Sequence, residues 1–520
     1  MVPQHVHAKT RRTLIVQRAP NPGVQVGREN NGRYNRLMQP SALIRVAALA
    51  FSLGLANCAT NPVSGNPNFV TMSESQEIQV GRSEDPKVRQ EYGAYDNAAL
   101  QQYVNEVGQR LARASHRPNL DYHFLVVDSP EVNAFALPGG YIYITRGILA
   151  YLNSEAELAA VLGHEIGHVT ARHSVQQLSA ATAAQVGASI LQIFVPQARG
   201  GLGDTAINLL GGALLSGYGR EHELEADRLG AEYLARTAYD PRAMVKVVGV
   251  LKNQELFDAE VAKSEGREPR AYHGVFASHP DNDTRLQQVV GEAAHFKQAQ
   301  TRTAREEFLR KVDKMVFADS PNQGVVRNNT LYHTDLGLAL RFPQGWRVKN
   351  QPQNVAATSP RGDALIDLRM AGPAQGSPAD VLRKLLRSGS GLETTPATIN
   401  GLPAAIANTN MQGKPTRVAV VFLGKNAYAI GGQAQNSRAM SRYLPEIEAA
   451  QKSFHALTDQ ERALARPLTL RVITARAGLT FAELARSSSL GRNAEGYLRV
   501  INGLYPSGEP VAGQALKIVQ

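Results

Sequence analysis

Apolar and polar positions along this chain follow two periods, and the switch between them marks its elements. From Glu77 to Arg113 apolar residues recur at helical spacing, as in Leu100, Val104, Val107 and Leu111. Tyr122–Val127 then alternates with a period of two and predicts a strand. A strand pair follows, Asn133–Ala136 and Tyr141–Thr145, joined by a Pro138-Gly139-Gly140 turn. Ser154 and Glu157 form an S-x-x-E capping box that opens a helix running to about Gln177. Residues 180–219 are small, apolar and Gly-rich. Further helices are expected from Arg220 to Thr237, after Asp240-Pro241, and over Thr301–Met315.

Pro321, Asn322, Gly324 and Asn328-Asn329 predict a linker at 320–330. Residues 331–455 mix short strands with two helices, with hairpin turns at Asn400-Gly401 and Gly424-Lys425-Asn426. They read as a small α+β domain of unknown role. Its Phe342-Pro343-Gln344-Gly345-Trp346 segment places the one Trp in a turn, for packing. Residues 466–520 order a strand (Leu470–Thr474), a turn at Gly478, a helix (Phe481–Ala485), Asn502-Gly503-Leu504 and a closing run to Ile518. This resembles a LysM module, although Leu479 replaces the usual Asp and the spacer before Asn502 is long. The resemblance implies peptidoglycan binding; a structural or protein-docking role is the other reading.

At 520 residues the chain exceeds one hydrophobic core, which implies about three domains. The net charge of +11 first hints at nucleic acid. Residues 1–57, however, hold eight Lys/Arg against one acidic residue, leaving only +4 elsewhere, so no nucleic-acid partner is expected. In the same segment Arg45 precedes an apolar run, Val46–Ala56, that ends at Leu55-Ala56-Asn57-Cys58. It is too short to span a membrane and resembles a bacterial lipoprotein signal, with Asn57 where a smaller residue is usual. Residues 1–58 are thus read as a targeting segment, with Met38 as an alternative start, and 59–76 as a tether. Cys58 is the only cysteine, which excludes an internal disulfide and favours a lipid anchor. Ala59 after it implies the periplasmic face of the outer membrane.

The densest chemistry lies at His164-Glu165-Ile166-Gly167-His168. Residues i and i+4 share a helix face, so both imidazoles can reach one ion, and Glu165 projects beside it as a base. A chance match is expected on the order of once or twice per hundred such sequences. Gly163 and Gly167 cost about 1 kcal/mol each in helix propensity, which points to close approach by another backbone. A continuing helix carries His173 about 140° from His168, giving it a structural role or one outside the ligand set. Downstream, Glu223 and Asp227 share a helix face. Glu223 can complete a His/His/Glu site and Asp227 can fix an imidazole tautomer; a solvated acidic stripe is the alternative, and Glu221 and Glu225 are read as such.

With Asn133-Ala134-Phe135-Ala136-Leu137-Pro138-Gly139-Gly140, the His164–His173 run, Glu223-Leu224-Glu225-Ala226-Asp227 and Ser278-His279-Pro280, residues 75–315 resemble the HtpX-like and BepA-like zinc metallopeptidases. These are gluzincins related to the CAAX prenyl proteases. The resemblance implies an α+β architecture: a mainly helical zincin domain (77–318) with a small edge sheet, then the 331–455 and 466–520 modules. It implies one zinc ion per chain on His164, His168 and Glu223, with Glu165 as base. Asn133, Ala134, Phe135 and Ala136 would line the cleft and bind extended polypeptide. His279, six residues before Arg285, would regulate the site by occupying the metal's fourth position, or else cap a helix.

The function implied is a periplasmic endopeptidase acting on unfolded or misassembled envelope proteins, near the outer-membrane assembly machinery. An autoinhibited chaperone or scaffold, or a peptidoglycan-binding protein, are the rival readings.

Overall fold

The computed structural model describes residues 58–65, 67–70, 72–180, 218–264, 301–386 and 392–520. Strands β1 (Cys58–Thr60) and β2 (Pro67–Phe69) pair antiparallel, with Cys58 opposite Phe69. The segment expected to be a tether therefore carries a hairpin. Asn61 Oδ1 closes its turn by accepting from the Val63 and Ser64 amides. Helix α1 (Glu74–Tyr92) starts at a true capping box between Ser73 and Gln76. Helix α2 (Ala98–Arg113) is capped by Asn97 and buries Leu100, Val104, Val107 and Leu111, the face its periodicity predicts.

Strands β3 (His123–Val127), β4 (Ala134–Leu137) and β5 (Tyr141–Thr145) form a sheet of order β3-β5-β4. The β4–β5 turn needs glycine: at Gly139, φ is +80° and a Cβ would stand 2.6 Å from Ile78 Cα. After α3 (Arg146–Tyr151) comes α4 (Glu155–Thr170), whose every residue is buried. Helices α5 (Arg220–Arg236), α6 (Arg242–Ser264) and α7 (Arg305–Val312) join α2 and β4 around it. An enclosed helix needs no polar stripe, which is why α4 is apolar except for its capping and chemical residues.

Two local expectations for α4 change. Ser154 Oγ accepts from Glu157 N, but the Glu157 carboxylate reaches back to Asn153 N, so the box is not reciprocal. The helix also stops at Thr170 rather than near Gln177, because Arg172 sits at φ 60°. Helical backbone resumes at 173–180.

The expected linker is instead built structure. Strand β6 (Val316–Phe317) leads to a 3-10 turn, and then β7 (Val325–Arg327), β8 (Thr330–His333) and β9 (Leu338–Arg341) pair in sequence. Asn328 and Asn329 both take positive φ (49° and 57°) in the two-residue β7–β8 hairpin loop. Asn tolerates that conformation, so the Asn-Asn pair marks a hairpin rather than a spacer.

Seven antiparallel strands follow: β10 (Arg347–Asn350), β11 (Asn354–Thr358), β12 (Ala364–Pro373), β13 (Thr395–Ile399), β14 (Leu402–Met411), β15 (Lys414–Leu423) and β16 (Asn426–Ala434). Their order is β10-β11-β12-β16-β15-β14-β13. Helix α8 (Pro378–Leu385) packs Leu382 on one face, and α9 (Ser437–Ser453) packs Tyr443 and Ile447 on the other. Trp346 is buried and donates to Glu446, consistent with a packing role. Strand β17 (His455–Ala456) completes the small sheet beside β9.

After α10 (Asp459–Leu464), the last segment runs β18 (Leu468–Thr474), α11 (Phe481–Arg486), α12 (Ala494–Ile501) and β19 (Ala515–Val519). Strand β18 pairs with both β19 and β6, and Phe481, Leu498 and Leu516 share one core with α4. Lys517 has no solvent exposure; its Nζ donates to Ala150 O at 2.7 Å and Leu152 O at 2.6 Å. Arg305 ties Asn153 O to Ala515 O. No helix among the described residues is long and apolar enough to cross a membrane.

Candidate metal centre

His164 and His168 lie one turn apart on α4, and their Nε2 atoms approach to 3.0 Å. Glu223, in the first turn of α5, sets its carboxylate oxygens 3.6 Å from His164 Nε2 and 3.4 Å from His168 Nε2. All three residues are buried, and among the described residues they form the one cluster able to hold a metal ion. Tetrahedral zinc with bonds of about 2.0–2.1 Å needs ligand atoms about 3.3 Å apart, so the donor set fits. A completely buried carboxylate facing two imidazoles also fits a cation better than a solvated stripe.

The helices must touch for this to happen, and glycine permits it. A Cβ on Gly163 would lie 3.3 Å from Gly230 Cα, and one on Gly167 would lie 2.9 Å from Ala226 O. The close approach expected from two glycines in one turn is made by α5. Asp227, one turn after Glu223, places Oδ1 2.8 Å from His164 Nδ1. That acceptor holds the proton on Nδ1 and leaves Nε2 free to ligate. Burial pushes the His168 pKa well below its ordinary value, which keeps the ring neutral as a ligand must be.

Residues 98–293 match the model of peptidase family M48. The chain carries a peptidase family M48 domain. The Beta-barrel assembly-enhancing protease of Escherichia coli K12 is 30% identical over 263 residues, covering 48% of this chain and 51% of that protein. The Mitochondrial metalloendopeptidase OMA1 of Schizosaccharomyces pombe is 31% identical over 235 residues, covering 44% of this chain and 64% of its own length. That of Arabidopsis thaliana is 31% identical over 191 residues, covering 36% and 38%. The chain thus spans about half the length of the bacterial relative it matches. Among solved structures, a cyanobacterial PsbP from Synechocystis covers 26% of this chain and 95% of its own, at 11% identity and a TM-score of 0.20.

Within the M48 domain, Glu165 is buried beside His164 on α4. Tyr218 stacks on the His168 ring with centroids 3.9 Å apart, and its hydroxyl meets Ser174 Oγ at 2.6 Å. His173 stands against His168 and outside the ligand set, as expected, although the helix does not run on to it. The backbone break at Arg172 turns it so that its Nδ1 lies 2.9 Å from His168 Nδ1. Glu225 is only half-exposed, and it is more than a surface charge: its Oε2 lies 3.2 Å from His173 Nε2. That contact with His173, opposed by burial, holds the Glu225 carboxyl below its ordinary pKa. Glu221 is exposed, as expected. Tyr218 had no sequence signal, since it closes a Gly-rich stretch without periodicity.

Strand β4 forms one edge of its sheet. Thr145 N donates to Asn133 O, which makes that pair hydrogen-bonded and sets the alternation along the register. The amides of Ala134 and Ala136 consequently point away from β5. Asn133, Ala134 and Ala136 are buried and Phe135 is half-buried. His279 and Arg285 lie outside the described residues.

Proposed function

We propose that this chain is a zinc metalloendopeptidase that cleaves unfolded or misassembled polypeptides of the cell envelope. One observation carries the reading: His164, His168 and Glu223 converge from two helices at zinc-ligand spacing, with Glu165 adjacent. Bound zinc would supply a polarised carbonyl and a water acidified towards a pKa of about 7. Glu165 takes the water's proton during attack and delivers it to the leaving amine. Asp227 keeps His164 in the ligating tautomer. Ala134 and Ala136 hold the substrate backbone as an added strand, which favours extended, unfolded chains over particular side chains.

The envelope setting rests on the lipoprotein-like segment ending at Cys58 and on the similarity to a bacterial protease named for enhancing β-barrel assembly. We place the chain in the periplasm, anchored at Cys58 to the outer membrane. For His279 we propose the regulatory role that its Ser278-His279-Pro280 motif suggests. The β18-α11-α12-β19 order supports a LysM-like module, and its buried Lys517 favours a docking role over glycan binding.

The test is to purify the full chain, measure bound metal, and follow cleavage of a reduced, carboxymethylated model protein. Stoichiometric zinc with cleavage lost in Glu165→Gln supports the proposal. A chain that binds no zinc, or cleavage that survives Glu165→Gln, refutes it.

A further inference from the structure

The zinc reading leaves a buried histidine unused. His173 lies just past the end of α4, has no solvent exposure, and touches the ligand His168 through the nitrogen that does not face Glu223. Because His168 Nε2 faces His164 and Glu223, its proton resides on Nδ1. Nδ1–H then donates to His173 Nδ1 at 2.9 Å. His173 must in turn carry its proton on Nε2, which points at Glu225 Oε2, 3.2 Å away. One set of tautomers satisfies every nitrogen in the series.

The two ligand histidines are thus braced differently. His164 meets a carboxylate directly, through Asp227 at 2.8 Å, while His168 meets one through an interposed imidazole. Both carboxylates stand on α5, the helix that also provides Glu223. His173 can fill this position only because the helix breaks. Arg172 sits at φ 60°, and its guanidinium donates to Glu77 Oε2 at 3.0 Å and to Met72 O at 2.8 Å. Glu77 is itself buried on α1 and accepts from Arg117, which also donates to Glu74 and to Val169 O in the last turn of α4. A non-glycine residue in the left-handed region costs of order 1 kcal/mol and needs such outside support.

We infer that His173 and Glu225 are positioning residues for the metal ligand His168, and that the Glu77–Arg172 pair sets the backbone turn that places His173. A plain core histidine would account for burial. It would not account for contact with the outer nitrogen of a ligand on one side and a carboxylate on the other.

The inference rests on the zinc reading, and the experiment separates the two. In the full chain, zinc affinity is measured by competition with a chromophoric chelator, cobalt(II) absorption reports ligand geometry, and apoprotein melting reports folding. His173→Phe keeps an aromatic ring without its nitrogens and should bind zinc about 10–100-fold more weakly, with an altered cobalt spectrum. His173→Gln, which keeps an acceptor, should recover most of that loss. Arg172→Gly, whose backbone accepts φ 60° without the ion pair, should stay near wild type, whereas Arg172→Val should lose affinity. If His173→Phe does not fold, Glu225→Gln decides, since Glu225 is part-exposed and tolerates change; a several-fold loss is expected. Wild-type zinc affinity and spectrum in a folded His173→Phe or in Glu225→Gln overturn this inference alone. A wild-type chain without zinc overturns both readings.

Discussion

Gly163 on α4 and Gly230 on α5 face each other so closely that a Cβ on Gly230 would stand 3.0 Å from His164 N. The candidate metal ligands come together because two backbones meet there. Adding a branched side chain at Gly167, where Ala226 O is 2.9 Å from the Cβ position, should drive α5 outward and take Glu223 with it. Gly167→Val is expected to cost about 1–3 kcal/mol in overpacking and to lose zinc. Thermal melting and metal content of one preparation check both.

Glu165→Gln should separate chemistry from binding. The amide keeps the shape but cannot take a proton, so turnover is expected to fall about 10²–10⁴-fold. Zinc content should not change, because Glu165 is outside the ligand set. Glu223→Gln should instead lose zinc and activity together. A dialysed chelator should do the same to the wild type, with zinc restoring cleavage.

Ala136→Pro tests the β4 edge. Proline removes one outward N–H while leaving the pairs with β5 intact. KM for an unfolded substrate should rise several-fold while zinc affinity stays constant. An unchanged KM would show that the substrate backbone does not pair there.

Lys517 gives a pH test with a definite sign. Burial holds its pKa well below the ordinary 10.5, with Glu157 opposing and Arg305 adding to the shift. Between the folded and unfolded values the unfolded chain binds more protons, so the folded state gains stability as pH rises towards about 10.5. The neutral amine still has two N–H groups for Ala150 O and Leu152 O. Lys517→Met should leave those carbonyls unsatisfied, at about 1–3 kcal/mol each. Denaturant titrations of both proteins at pH 7 and pH 9 should show the wild type's advantage growing at the higher pH.

Much of the site was legible in the sequence because it depends on short-range spacing. His164 and His168 are one turn apart in any helix, and Glu223 and Asp227 likewise. The glycines at 163 and 167 even announced a close neighbour. What escaped was long-range or conformational. No local pattern shows that Glu77, 95 residues before Arg172, holds it in the left-handed region. Without that break His173 points elsewhere, and Glu225 looks like surface. The supposed linker failed for a related reason: Asn328 and Asn329 suit a spacer and a tight hairpin equally, and only the partner strands decide.

The clamp of Lys517 onto Leu152 joins residues 365 positions apart, immediately before the helix that bears the histidines. A chain made from its N-terminus therefore completes His164 and Glu165 long before the strand that moors them. The seven-stranded sheet, whose β12–β16 pair is its one long-range join, is synthesised in between. The mooring of the histidine helix is thus among the last parts of its core to be made.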